Sequence, residues 1–190
     1  IAEPQGDLAL VRLYWPLELR PAFDALMAIE AAMAEVVTTS TQPALGAIRL
    51  AWWREALERL DGSPPPPEPR LQAVAAELLP RGVTGKSLAA LEEGYATLLE
   101  EYPDADRVGA GGAALFAGAA KLLEIHDPKL AEAGRLHAFA RAARLGLMAI
   151  PQGTTLAELQ GHRFPRALRP LTALARLAAR YGVPLGVSTV

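Results

Sequence analysis

Phe23, Leu26, Met27, Ile29, Met33, Val36 and Val37 return at spacings of three and four, the signature of a helix with one buried face. Alanine and leucine, both strong helix formers, carry similar spacings along most of the chain. Strand signals are scarce. The best β-branched run, Val36-Val37-Thr38-Thr39, reads as the fraying end of that first helix. The predicted fold is therefore all-α, a helical bundle. Predicted helices run through Leu8–Tyr14, Pro21–Val37, Pro43–Leu60, Leu71–Leu79, Lys86–Glu101, Asp106–Glu124, Pro128–Met148 and Pro165–Tyr181. Pro21, Pro43 and Pro128 suit first helical turns, where a missing N–H costs nothing.

The clearest interruption is Asp61-Gly62-Ser63-Pro64-Pro65-Pro66-Pro67-Glu68-Pro69. Four consecutive prolines cannot continue a helix and form a stiff polyproline connector. The stretch is short and flanked by helices, so it reads as an inter-helix loop at 61–69 within one domain spanning 1–190. The length of 190 residues suits one domain with a sizeable core. A formal charge of -2 argues against nucleic acid as a partner. The absence of cysteine excludes disulfides and thiolate metal sites and fits a reducing, cytoplasmic compartment. No apolar run approaches the ~20 residues that cross a bilayer, and Ile1 to Gly6 lacks the pattern of a signal peptide. Peripheral contact with a membrane stays open.

Two of the three tryptophans stand side by side in Ile48-Arg49-Leu50-Ala51-Trp52-Trp53-Arg54-Glu55-Ala56-Leu57. Neighbouring helical positions lie ~100° apart, so the two indoles cannot share one narrow face. One enters a core and the other covers a boundary or cavity wall. Arg54 and Glu58 are spaced for an i,i+4 pair.

As a string, Gln42 to Leu57 resembles the squalene/phytoene synthase family, in particular a divergent bacterial and mitochondrial branch with a stretch like EPxLGxIRLxWWRxAL. Further likenesses follow in order. Leu17 to Ala28 resembles the family's PxxxRPALFALYAF helix. Gly111 to Leu115 resembles its small-residue helix. Ala133 to Phe139 resembles the helix carrying the second metal motif, and Phe164 to Leu171 resembles the closing LPRALRPL segment. The resemblance implies an isoprenoid-synthase fold. In active members it implies terpenoid biosynthesis, the head-to-head joining of prenyl diphosphates. Two Asp-rich motifs then hold Mg²⁺ through hard oxygen ligands, and the metals hold the leaving diphosphate.

This chain departs from that pattern. Where the first motif, RxxDDxxxD, should fall, the residues are Ala31, Ala34, Glu35 and Thr38, so Glu35 offers the one carboxylate in register. Glu30 lies five residues earlier, diverging around the helix. In the second motif the arginine survives as Arg144. The glutamine, asparagine and both aspartates give way to Ala138, Arg141, Leu145 and Ala149, and Leu136 to Gln152 contains no Asp or Glu. No metal ligand is assigned. Residual catalytic candidates are Glu35 and Arg144. Arg49, Trp52, Trp53, Arg54, His137 and Arg141 are the candidates for lining a cavity or meeting a partner.

No other chemistry replaces the lost motifs. Asp104 and Asp106 precede a helix and read as caps. Glu92-Glu93 and Glu100-Glu101 read as a solvated helix face. His126, His137 and His162 lack histidine partners at i+4, so zinc is not expected. His126 reads as a residue at a helix end, and His137 as a packed histidine. Gly85-Lys86-Ser87 looks like part of a P-loop, but Pro80 occupies the position of its leading glycine, so Thr84 or Ser87 reads as a helix cap. The glycines and alanines of Gly109 to Gly118 permit close helix packing, with room for a residual apolar cavity.

The expected function is that of a non-catalytic member of the family binding a protein, a lipid, or both, without cofactor. The mitochondrial branch is associated with respiratory complex I assembly, and the resemblance extends a similar assembly role to this chain. The rival is an Mg²⁺-dependent prenyl transferase with a rearranged site, for which Glu30, Glu35, Asp104 and Asp106 are the carboxylates to mutate.

Overall fold

The computed structural model describes residues 5–151, 159 and 162–173. Among them there is no strand. The α-helices are α1 (Gln5–Leu13), α2 (Arg20–Thr39), α3 (Pro43–Arg59), α4 (Pro69–Glu77), α5 (Gly85–Ala89), α6 (Leu91–Ala96), α7 (Ala105–Leu122) and α8 (Leu130–Arg144). Short 3-10 turns sit at Leu17–Leu19, Leu79–Arg81, Thr97–Leu99 and Arg166–Leu168. No helix among the described residues is long and apolar enough to cross a membrane.

Helix α2 packs against α3, α4, α6 and α7. It buries Phe23, Leu26, Ile29, Met33, Val36 and Val37, the face that the three-and-four spacing predicts. It starts at Arg20, carries Pro21 in its first turn and runs to Thr39. Thr38 and Thr39 turn their hydroxyls back onto Ala34 and Glu35 carbonyls, so the β-branched end is helical. Asp61 and Glu68 flank the proline run at the two ends of the connector. Glu68 accepts from the Leu71 amide and caps α4. Asp61 reaches across to accept from the Gly85 and Lys86 amides at 2.6 and 2.9 Å. The amides of the P-loop-like tripeptide are thus taken by an internal carboxylate, while Thr84 caps α5.

The helix predicted over Lys86–Glu101 is broken into α5, α6 and a 3-10 turn. Close packing goes with the break. A Cβ on Gly85 would stand 2.0 Å from the Leu57 carbonyl oxygen, and one on Gly94 would stand 3.1 Å from the Arg107 carbonyl oxygen. Helices α7 and α8 also meet glycine to glycine. A Cβ on Gly112 would lie 2.2 Å from the Gly134 oxygen, and one on Gly134 2.4 Å from the Gly112 oxygen. The glycine-rich stretch is therefore a packing device. The helix predicted over Pro165–Tyr181 opens with the 3-10 turn at Arg166–Leu168 and is helical at 169–173; its remainder lies outside the described residues.

Candidate functional site

Helices α2, α6, α7 and α8 line a small, partly open cavity of about 30 Å³. Its wall is mostly apolar, with Leu91, Gly94, Leu98, Gly111, Gly112 and Leu145 among the lining residues; Glu30, Tyr95 and Arg141 contribute the polar part. Such a space holds one or two waters. Pockets for organic ligands run to about 300 Å³ and above.

Glu30 comes from the middle of α2 and is 3% exposed. Its Oε2 lies 3.3 Å from Arg141 Nη1. Its Oε1 accepts from the Tyr95 hydroxyl at 3.3 Å and faces His137 Nε2 at 3.3 Å. His137 and Arg141 stand one helical turn apart on α8, so their side chains emerge on one face. Burial alone would raise the Glu30 pKa. The Arg141 charge, then the His137 hydrogen bond and charge, then the Tyr95 hydroxyl, overcome that and hold it at about 2. Glu30 is therefore a carboxylate at neutral pH and accepts from His137, so Nε2 carries a proton. His137 Nδ1 is buried without a hydrogen-bond partner among the described residues, and the ring lies 5.5 Å from that of Phe116.

The residues singled out from the sequence fall into separate places. His137 and Arg141 join the buried cluster. Glu35 does not: its carboxylate is 56% exposed and pairs with Arg70 of α4 at 3.2 Å. Arg144 is half-buried at the end of α8. Leu145, where the sequence resemblance implies an aspartate in active members, lines the cavity. Trp53 is 7% exposed and joins the core, with the Arg70 guanidinium 5.9 Å from its ring centre. Trp52 is 48% exposed and meets Trp53 edge-on at 5.1 Å. Arg49 is exposed. Arg54 turns toward Glu92 of α6, 3.9 Å away, rather than pairing with Glu58.

Glu92 corrects the expectation of a solvated face: it is 8% exposed, and burial pushes its pKa up despite Arg54. Asp104 caps α7, accepting from the Asp106 and Arg107 amides. Asp106 pairs with Arg135 at 2.8 Å. His162 meets buried Asp127 at 2.9 Å, a pairing the sequence spacing did not suggest. His126 is exposed, on the edge of an open groove that shares no residue with the Glu30 cavity.

Two residues central to the cluster, Glu30 and Tyr95, were not assigned to it from the sequence. The signal for Glu30 was available. It lies three or four residues from Leu26, Met27, Met33 and Ala34, so it interrupts an apolar stripe. Glu35 shares its stripe with Asp24, Ala31 and Thr38, all exposed.

The donor set does not suit Mg²⁺. Both Glu30 oxygens already face cationic or hydrogen-bond-donating side chains. Among the described residues, no group of three His, Cys, Asp or Glu converges in a way that could hold a metal ion. No metal-dependent step follows from this arrangement.

The squalene/phytoene synthase family model matches residues 2–110. The match is narrower than the likeness of motifs read along the sequence. It ends inside α7, so His137 and Arg141 lie beyond it. No curated protein and no solved structure matches the chain. With more than half of its length matched and an all-α architecture among the described residues, the chain belongs to the squalene/phytoene synthase family.

Proposed function

We propose that this family member carries out no prenyl transfer and works as a helical scaffold that holds a protein partner. The observation that carries the reading is the ion pair of Glu30 with Arg141 at the wall of a cavity of about 30 Å³. A diphosphate leaves from an apolar site only where cations stabilise it, and in this family those cations are metals held by several carboxylates. Here the one carboxylate lining the cavity is neutralised by an arginine of the same chain. The other candidate carboxylates are held elsewhere: Glu35 by Arg70, Asp104 by the α7 amides and Asp106 by Arg135. The cavity size also favours a protein partner over an internally held lipid, because an acyl or isoprenoid chain needs a far larger space. A role in assembling a larger complex is consistent with this and rests on the resemblance alone.

The test is incubation of the pure chain with radiolabelled farnesyl or geranylgeranyl diphosphate, Mg²⁺ and NADPH. The expected result is no squalene, phytoene or cyclopropyl intermediate above a protein-free blank. Any of those products would overturn the reading.

A further inference from the structure

Helix α3 buries one side through Leu50, Trp53 and Leu57 and turns Leu45, Ile48 and Trp52 outward, 54%, 67% and 48% exposed. These three sit at i, i+3 and i+7, so they form one stripe about 10 Å long on a single helix face. Scattered apolar residues on a surface carry no message; a stripe with a tryptophan and an unpaired arginine at its edge has the composition of an interface hot spot. Trp52 is also fixed in place. Its ring stands edge-on to Trp53 at an interplanar angle of 79°, and Trp53 is in turn held in the core beneath Arg70. A partner that covers Trp52 would lose little side-chain freedom in doing so.

Charge selects the kind of partner. Arg49, beside the stripe, is exposed and has no ion pair or hydrogen bond among the described residues. Arg59, further along, is matched by Glu55 at 3.2 Å. The face therefore carries one unmatched positive charge. An anionic bilayer surface is held by clusters of unpaired cations, which this face lacks. A single carboxylate beside a short apolar ridge matches it. We propose that the Leu45-Ile48-Trp52 stripe is the docking surface for an amphipathic helix of a protein partner, one with apolar residues at helical spacing and an acidic residue opposite Arg49. This names the partner surface of the scaffold proposed above and rests on that reading.

The test places a benzophenone amino acid at position 48 in the full chain, with position 102 as a control because Tyr102 is 81% exposed and lies in a loop outside the stripe. The chain is irradiated in its host cell and the attached peptide is sequenced, synthesised and titrated. The expected outcome is a cross-link at position 48 and not at 102, to a peptide of the stated pattern. Ile48→Ser should weaken its binding at least about 30-fold. Arg49→Glu should weaken it too, and exchanging the peptide's acidic residue for lysine should restore it. Both substituted residues are exposed, and circular dichroism confirms that the variants fold. Attachment to lipid, to a second copy of this chain or to nothing would overturn the proposal, as would equal attachment at both positions or a peptide indifferent to the variants. Prenyl transfer by the wild-type chain would sink the scaffold reading while leaving the cross-link to judge the surface.

Discussion

Glu30 and Arg141, 111 positions apart in the chain, meet at 3.3 Å with side chains 5% and 7% exposed. The pair joins α2 to α8 inside the core. Two charges taken out of water gain from each other roughly what they lose by desolvation, so such a pair adds little net stability, yet breaking it is costly.

The first prediction follows from that asymmetry. Glu30→Ala should destabilise the fold by about 3 kcal/mol or more, because the buried guanidinium loses its counter-charge. Replacing Glu30 and Arg141 together with leucine and methionine should cost less than the sum of Glu30→Leu and Arg141→Met made singly. Denaturant titrations of the four proteins of this cycle measure the difference.

The pair also sets a pH dependence. The Glu30 carboxyl is held at about 2 against an ordinary 4.5. A lowered carboxylate pKa stabilises the fold above the unfolded value and is lost as pH falls through the folded one. About 3 kcal/mol should therefore disappear between pH 4.5 and pH 2. Glu30→Gln should flatten that limb of the stability curve. Glu92 has the opposite sign: its pKa is raised by burial, so its charge weakens the fold at neutral pH, and Glu92→Gln should not lower stability there. Urea midpoints across the pH range read both effects.

Backbone proximity makes a third prediction. Gly112→Ala forces a methyl onto the Gly134 carbonyl and should cost about 1–3 kcal/mol or more. Gly62→Ala, with open space around it, should leave the thermal midpoint within a degree or two.

The paired tryptophans should separate in the same assay. Trp53→Ala removes a core indole and should cost about 3–5 kcal/mol. Trp52→Ala removes a half-exposed one and should cost about 1 kcal/mol or less. Equal losses would contradict the division of roles between the two rings.

Much of the fold was legible because helical periodicity is a local property. The buried face of α2 and the unequal exposure of Trp52 and Trp53 both follow from 3.6 residues per turn. The break between α5 and α6 was not legible, since it accompanies the seating of Gly85 on the Leu57 carbonyl and of Gly94 on α7, both tertiary events. The site was half legible. His137 and Arg141 show their shared face in their spacing. Glu30 shows its burial in the stripe around it, but reading the family motif in register drew attention to Glu35 instead. What no local pattern contains is the meeting of Glu30 on α2, Tyr95 on α6 and His137 and Arg141 on α8 in one buried cluster. The burial of Glu92 was missed for the same reason, because its desolvation arises from packing against other helices.

The most direct measurement is a calorimetric titration of the pure chain with a non-hydrolysable thio analogue of farnesyl diphosphate, with and without Mg²⁺. The account predicts no Mg²⁺-dependent binding, because Glu30 is committed to Arg141 and the cavity, at about 30 Å³, is smaller than a prenyl chain. Saturable binding that requires Mg²⁺ and is lost in Glu30→Gln would contradict it, showing that the carboxylate exchanges its arginine for metal and that the cavity opens to substrate.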